Sequence, residues 1–157
     1  MTTVAIFVDV QNIYYTTRHA FSSQFNYRHF WQLLSESKDI KLANAYAIQR
    51  SDDQQHKFQT ALKHIGFNVK LKPFIQRSDG SAKGDWDVGI TIDVLEAASS
   101  VDEIILLSGD GDFDLLMQHV AQKYHVKTTV YSVKALTANS LIQSVDKHIE
   151  IDSSLLL

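Results

Sequence analysis

Apolar positions along the chain follow two rhythms. Thr3–Val8 is almost wholly apolar and β-branched, without polar alternation, which is the pattern of a strand buried on both faces of a parallel sheet. Glu103–Leu107 repeats it. Elsewhere a helical period takes over. Asn12–Ala20 reads as helix, and Tyr27, Phe30, Trp31 and Leu34 recur at helical spacing behind Asn26, a good N-cap. Lys41–Gln49 reads as a second strand. Ser51 and Gln54 have the spacing of a capping box and open a helix with Phe58, Ala61, Leu62 and Ile65 on its buried stripe, closed by Gly66. Phe67, Val69 and Leu71 alternate with Asn68, Lys70 and Lys72 before Pro73, the marks of an edge strand. Gln76–Gly84 is polar and glycine-containing and reads as a loop, of a length that is often functional. Asp87–Ala98 is helical, and Phe113, Leu116, Met117, Val120, Ala121 and Tyr124 give the cleanest helical period. Val126–Val133 reads as a strand, Ala135–Ile142 as a short helix and Val145–Ile151 as a last strand or an edge segment.

Strands that alternate with helices predict an α/β fold: a mainly parallel sheet covered on both faces. In such sheets the chemistry sits outside the carboxyl ends of the strands, where strand order reverses. The two all-apolar strands are the natural central neighbours.

Composition narrows the class. A length of 157 residues suits one domain, residues 1–157, and 45% hydrophobic against 21% charged residues is ordinary globular composition. Cysteine is absent, which excludes a disulfide scaffold and leaves oxygen and imidazole as metal ligands. No segment approaches the roughly 20 apolar residues of a membrane span. The apolar run Val4–Val10 is broken by Asp9 and lacks a basic leader. These features predict a soluble, cytoplasmic protein with no membrane partner. The formal charge of −3 alone argues against a nucleic-acid partner. However, seven acids (Asp9, Asp85, Asp87, Asp93, Asp110, Asp112 and Asp114) lie in three short motifs, and without them the chain carries a formal +4. Net charge therefore leaves the matter open.

The placement of those acids is more informative. Asp9 directly follows the first strand, Asp110 and Asp112 follow the second central strand, and Asp85 and Asp87 begin the helix leading into it. All three groups fall on one edge of a parallel sheet. If the central strands are neighbours, at ~4.8 Å, Asp9 and Asp110 can share one ion. Two carboxylates ~4 Å apart repel by roughly 4 kcal/mol at an effective dielectric of 20, so such a cluster calls for protons or a cation. Small oxygen ligands suit Mg²⁺ or Mn²⁺. Plainer roles compete. Asp112 and Asp85 could cap the helices that follow them, Asp114 reads as solvated, and Gly109 and Gly111 could serve only a tight turn. Asp93 is six residues past Asp87, which turns it about 240° around the helix and makes it the less certain ligand.

Three stretches carry a resemblance: Phe7-Val8-Asp9-Val10-Gln11-Asn12, Lys83-Gly84-Asp85-Trp86-Asp87 continuing to Asp93, and Leu107-Ser108-Gly109-Asp110-Gly111-Asp112-Phe113. Together they resemble the signature motifs of the NYN domain, the LabA-like branch of the PIN-like nucleases, and Leu141–Ile151 with Asp146 resembles that family's final element. The resemblance implies a PIN-like three-layer α/β/α sandwich and a metal-dependent cut of RNA. It also implies an acidic site of Asp9, Asp87, Asp110 and Asp112, with Asn12 and Ser108 hydrogen-bonding metal water or phosphate and Lys83 facing the substrate. Val10-Gln11 replaces the small turn common in the family, and Asp85 inserts a residue before the acid.

The resulting expectation is a Mg²⁺- or Mn²⁺-dependent ribonuclease that hydrolyses phosphodiester bonds with metal-activated water. Arg18, Arg28, Arg50, Arg77 and Lys83 are candidate phosphate contacts, and Tyr14, Tyr15 or Trp86 could stack single-stranded RNA or simply pack. The seven histidines read as surface residues. The rival is a non-catalytic metal- or RNA-binding regulatory module of the same fold. A phosphohydrolase with an aspartate nucleophile usually wants a second acid two residues on, where Gln11 stands. RNA target, endo or exo action, activity on DNA and oligomeric state, a homodimer included, are not written in these features.

Overall fold

In the computed structural model, which describes residues 1–49, 52–73, 75–76, 82–83 and 85–157 (backbone alone for 75, 76, 82 and 83), the doubly buried run sits at the centre. The elements run β1 (Thr2–Asp9), α1 (Val10–Phe21), α2 (Tyr27–Ser37), β2 (Lys38–Gln49), α3 (Asp53–Ile65) and β3 (Asn68–Pro73). They continue with β4 (Ile75–Gln76), β5 (Ala82–Lys83), α4 (Asp87–Ala97), β6 (Glu103–Leu107), α5 (Asp114–Tyr124), β7 (Lys127–Ser132), α6 (Asn139–Gln143) and β8 (Lys147–Glu150).

Val4 to Val8 of β1 are fully buried, and a strand's period of two sends them to two cores. Val4, Ile6 and Val8 meet Ile13, Phe30, Leu34 and Leu62 of α1, α2 and α3. Ala5 and Phe7 face the other way, onto Ile90 and Val94 of α4 and Met117 and Val120 of α5. β6 divides likewise, with Ile105 and Leu107 on the first side and Ile104 and Leu106 on the second. Each such side chain contributes roughly 1.5–3 kcal/mol of burial, so the two central strands are the least openable part of the molecule.

β1 and β6 are parallel neighbours, with Val8 opposite Leu107. The six-stranded parallel sheet has the order β3-β2-β1-β6-β7-β8 and carries helices on both faces, the three-layer α/β/α arrangement the sequence predicts. From β1 the chain builds outward through β2 to β3, then returns to β6 and builds the other way. The loops after β1 and β6 therefore part from each other and open a crevice at the carboxyl edge. The opposite edge is tied by other aspartates. Thr3 donates its N–H and hydroxyl to Asp102 at 2.9 and 3.1 Å, and Thr128 donates the same pair to Asp146 at 2.9 and 3.2 Å.

Several boundaries differ from expectation for local reasons. β2 begins at Lys38, not Lys41, because a register shift against Val4/Ala5 extends the pairing and Lys38 reaches the buried Glu103 carboxylate. The N-cap of α3 is Asp52, which accepts the Gln55 N–H at 2.7 Å; Ser51, the expected cap, lies outside the described residues. Gly66 does end α3. At φ +136° it holds a conformation that other residues rarely adopt, and a Cβ there would come within 2.7 Å of the Trp31 ring. The stretch read as loop, 76–84, overlaps the β4–β5 antiparallel pair, which begins at Ile75 and is too short to leave any periodicity. Ala135–Ile142 divides into a 3-10 turn, Lys134–Leu136, and α6. Among the described residues no helix is long and apolar enough to cross a membrane.

Candidate metal centre

Asp9, Asp87 and Asp110 converge on the crevice. Each offers one carboxylate oxygen, and the three oxygens lie within 4.8 Å of one another. Each arrives by its own local rule. Asp9 ends β1 and caps α1, accepting the Asn12 N–H at 3.5 Å. Asp110 follows β6 and caps the 3-10 turn Gly111–Phe113 by accepting the Asp112 N–H at 2.9 Å. Asp87 is the first residue of α4, where the helix dipole favours a carboxylate, and its N–H donates to Asp85 at 3.2 Å.

Ser108 and Asn12 couple the β1 and β6 loops. The fully buried Ser108 donates its hydroxyl to Asp9 at 3.1 Å and accepts the Asp110 N–H at 3.1 Å. The Asn12 side chain accepts the Gly109 N–H at 2.9 Å. The two glycines are required by a close approach. The segment after β7 runs against them, Ala138 donating its N–H to the Gly109 carbonyl at 3.1 Å, and a Cβ on Gly111 would lie 2.8 Å from the Ala138 Cβ. Gly111→Ala is therefore expected to cost about 1–3 kcal/mol by overpacking, read as a lowered melting temperature. Adding Ala138→Gly should restore much of it; a Gly111→Ala protein as stable as the parent would contradict the packing.

The other predicted residues are placed differently. Asp112 is exposed and lies outside the group of three; the cap of its turn is Asp110, while Asp112 contributes a backbone N–H. Asp93 points away from Asp87, as the helical rotation predicts, and accepts the Tyr46 hydroxyl and the Lys70 ammonium, each at 2.7 Å. Asp114 accepts the Leu115 N–H at 2.6 Å. The side chains of Lys83, Arg50 and Arg77 lie outside the described residues. Trp86 is a packing residue. It lies over Gly89, stands 5.3 Å from the Tyr46 ring and donates its indole N–H to the Ala47 carbonyl at 2.9 Å. It thereby pins the start of α4, and with it Asp87.

The electrostatics follow from the crowding. Burial first, then the charges of Asp110 and Asp85, raise the Asp9 carboxyl from 3.8 to about 6, against the lowering effect of the Ser108 and Asn12 hydrogen bonds. Burial, a hydrogen bond to the Asp110 carboxyl and its charge raise Asp87 from 3.8 to about 7. Among the described residues no lysine or arginine lies within 4 Å of these three carboxylates; the ion pairs formed there use other acids. An all-oxygen donor set this crowded suits a small hard dication.

Residues 3–152 match the family model described as the NYN domain. The chain belongs to the NYN domain family. NYN domains are generally nuclease-like, and the acidic cluster suits the divalent-metal dependence usual among them. This NYN domain is 30% identical to the low amplitude and bright protein LabA of Synechococcus elongatus, over 95% of its own length and 83% of LabA. It is also similar to a crystal structure of a protein of unknown function from Vibrio parahaemolyticus. That match has a TM-score of 0.95 and 51% identity, and covers 99% of this chain and 96% of the other.

Two features of this NYN domain escape sequence reading. Tyr27 appears in the sequence only as a helix-face aromatic, yet it is buried, and burial and the Asp9 charge hold its phenol firmly protonated. The exposed face of α3 carries His56, Lys57, Thr60 and His64. Spacing by four was the available signal, but a polar helix face has no meaning until its neighbour is known.

Proposed function

We propose that the chain is a Mg²⁺- or Mn²⁺-dependent ribonuclease that hydrolyses RNA phosphodiester bonds. The observation that supports it is the meeting of Asp9, Asp87 and Asp110 at the strand-order reversal, where burial and mutual charge raise Asp9 to about 6 and Asp87 to about 7. These three would hold the ion. Asp112, exposed on the adjoining turn, is assigned to the same site by its motif. A bound ion supplies an acidified water and charge compensation for phosphoryl oxygens at neutral pH. Ser108 and Asn12 fix the spacing between the Asp9 and Asp110 loops, so the carboxylates keep their geometry as charge shifts. The crevice between the two loops admits the sugar-phosphate chain.

Titrating Mg²⁺ or Mn²⁺ into chelator-treated protein with labelled single-stranded RNA tests this reading. Cleavage should be absent in EDTA, appear with either ion and vanish on renewed chelation. Binding without turnover at any ion concentration would replace the enzyme with the regulatory module.

A further inference from the structure

We propose that the cleft between α1 and α3, together with the basic stripe that continues it across α3 and α2, carries a single strand of RNA away from the three carboxylates. The proposal rests on the ribonuclease reading above and adds the path of the substrate.

The cleft starts at the site. Val10 and Gln11, the residues after Asp9, line its near end, and Tyr27 also lines it. Its volume of about 1020 Å³ lies at the upper end of the roughly 300–1,000 Å³ usual for ligand pockets, and it runs along α1 and α3. Tyr14 and Tyr15, residues 44% and 67% exposed, line it with their rings 6.4 Å apart and edge to face. Arg18 lies 5.8 Å from the Tyr14 ring centre and donates to its hydroxyl, which puts a cation beside a flat stacking surface.

Lys57 lines both this cleft and a second hollow of about 450 Å³, which it shares with Arg28, His56, Thr60 and His64. His56, Thr60 and His64 follow one another at four-residue spacing, so they stand on one face of α3, opposite Arg28 of α2. Lys38, Lys41 and Lys70 are engaged with carboxylates, but among the described residues no carboxylate lies within 4 Å of Arg18, Arg28 or Lys57. The acids at the start of α3 are Asp53, in its first turn, and Asp52, occupied as its cap. Two exposed aromatic rings at the site end of the path, followed by the cations Arg18, Lys57 and Arg28, match a strand whose phosphates and base faces are both accessible. A duplex hides its base faces, so the tyrosines favour the single strand over it.

The test measures binding and cleavage side by side. Anisotropy of a labelled oligouridylate of about 12 nucleotides is read with Ca²⁺ in place of the activating ion, and cleavage of the same RNA is read with Mn²⁺. The double variant Arg28→Glu/Lys57→Glu should bind about tenfold more weakly, with a log affinity–log salt slope shallower by about 1.4, the expectation for two phosphate contacts on a single strand. Tyr15→Ala should weaken binding at least about fivefold. All three positions are exposed, and the far-UV spectrum should match the parent's. If the parent cleaves RNA while both variants keep its affinity and salt slope, the path is wrong and the ribonuclease reading stands. If binding weakens as expected but no ion restores cleavage, the path is supported and the catalytic reading falls. Blunt duplex RNA bound as tightly, through the same residues, would overturn the single-strand assignment.

Discussion

Asp110→Asn is expected to reduce ion-dependent cleavage of single-stranded RNA by about a thousandfold or more while leaving the fold intact. The amide removes a charged ligand from the group of three and keeps the oxygen that accepts the Asp112 N–H, and Asn is as good a cap as Asp. The turn that presents position 110 therefore has no reason to open. Chelator-treated Asp110→Asn should also melt at a higher temperature than the parent. The full repulsion of two carboxylates ~4 Å apart, roughly 4 kcal/mol at an effective dielectric of 20, is reduced here by proton sharing with Asp87 and by solvent. A gain of about 1 kcal/mol would already shift the midpoint by about 2–4 °C in a protein of this size. Initial rates and thermal melts on the same preparations decide the matter. A variant that cuts RNA at the parent's rate removes Asp110 from the chemistry.

The second large effect couples pH, ion and stability. Folding raises the proton affinity of Asp9 and Asp87, from 3.8 to about 6 and about 7. Between roughly pH 4 and 7 the native state therefore binds more protons than the unfolded chain, and stability falls as pH rises through that window. The cost is complete above about pH 7 and vanishes below the unfolded value of 3.8. For Asp9 alone it corresponds to about 3 kcal/mol; the Asp87 share is reduced because that carboxyl is only half-buried. Chelator-treated protein should thus melt several degrees higher at pH 5.5 than at pH 8. Saturating Mn²⁺ at pH 8 should recover the difference, since an ion that binds only the native state stabilises it. Asp87→Asn should flatten both responses. A parent protein with the same pH profile as Asp87→Asn, and no response to Mn²⁺, would contradict the crowding of the carboxylates.

The sequence shows the site more clearly than its supports. Unbroken apolar character marked β1 and β6 as central because only a strand covered on both faces needs it; their pairing, with Val8 opposite Leu107, is the structure's finding. Asp9 and Asp110 could then be placed at one edge, and the 240° rotation separated Asp93 from Asp87 before any contact was known. Supports that depend on partners far along the chain stayed hidden. Nothing near Gly111 indicates that Ala138 packs on it, and nothing near Lys38 points to Glu103. The role of Trp86 was open because the same ring could stack on a base or lie over Gly89, and composition does not distinguish them. Caps moved by one or two residues, Asp52 for Ser51 and Asp110 for Asp112, because several neighbouring side chains could accept the same N–H groups.

Asp9 starts a helix of one layer and Asp87 starts a helix of the other, with the sheet between them. A cation gripped by both would act as a rivet through the sandwich. Amide exchange in the first turns of α1 and α4 should then slow together when the ion is added, although the two turns share no hydrophobic core.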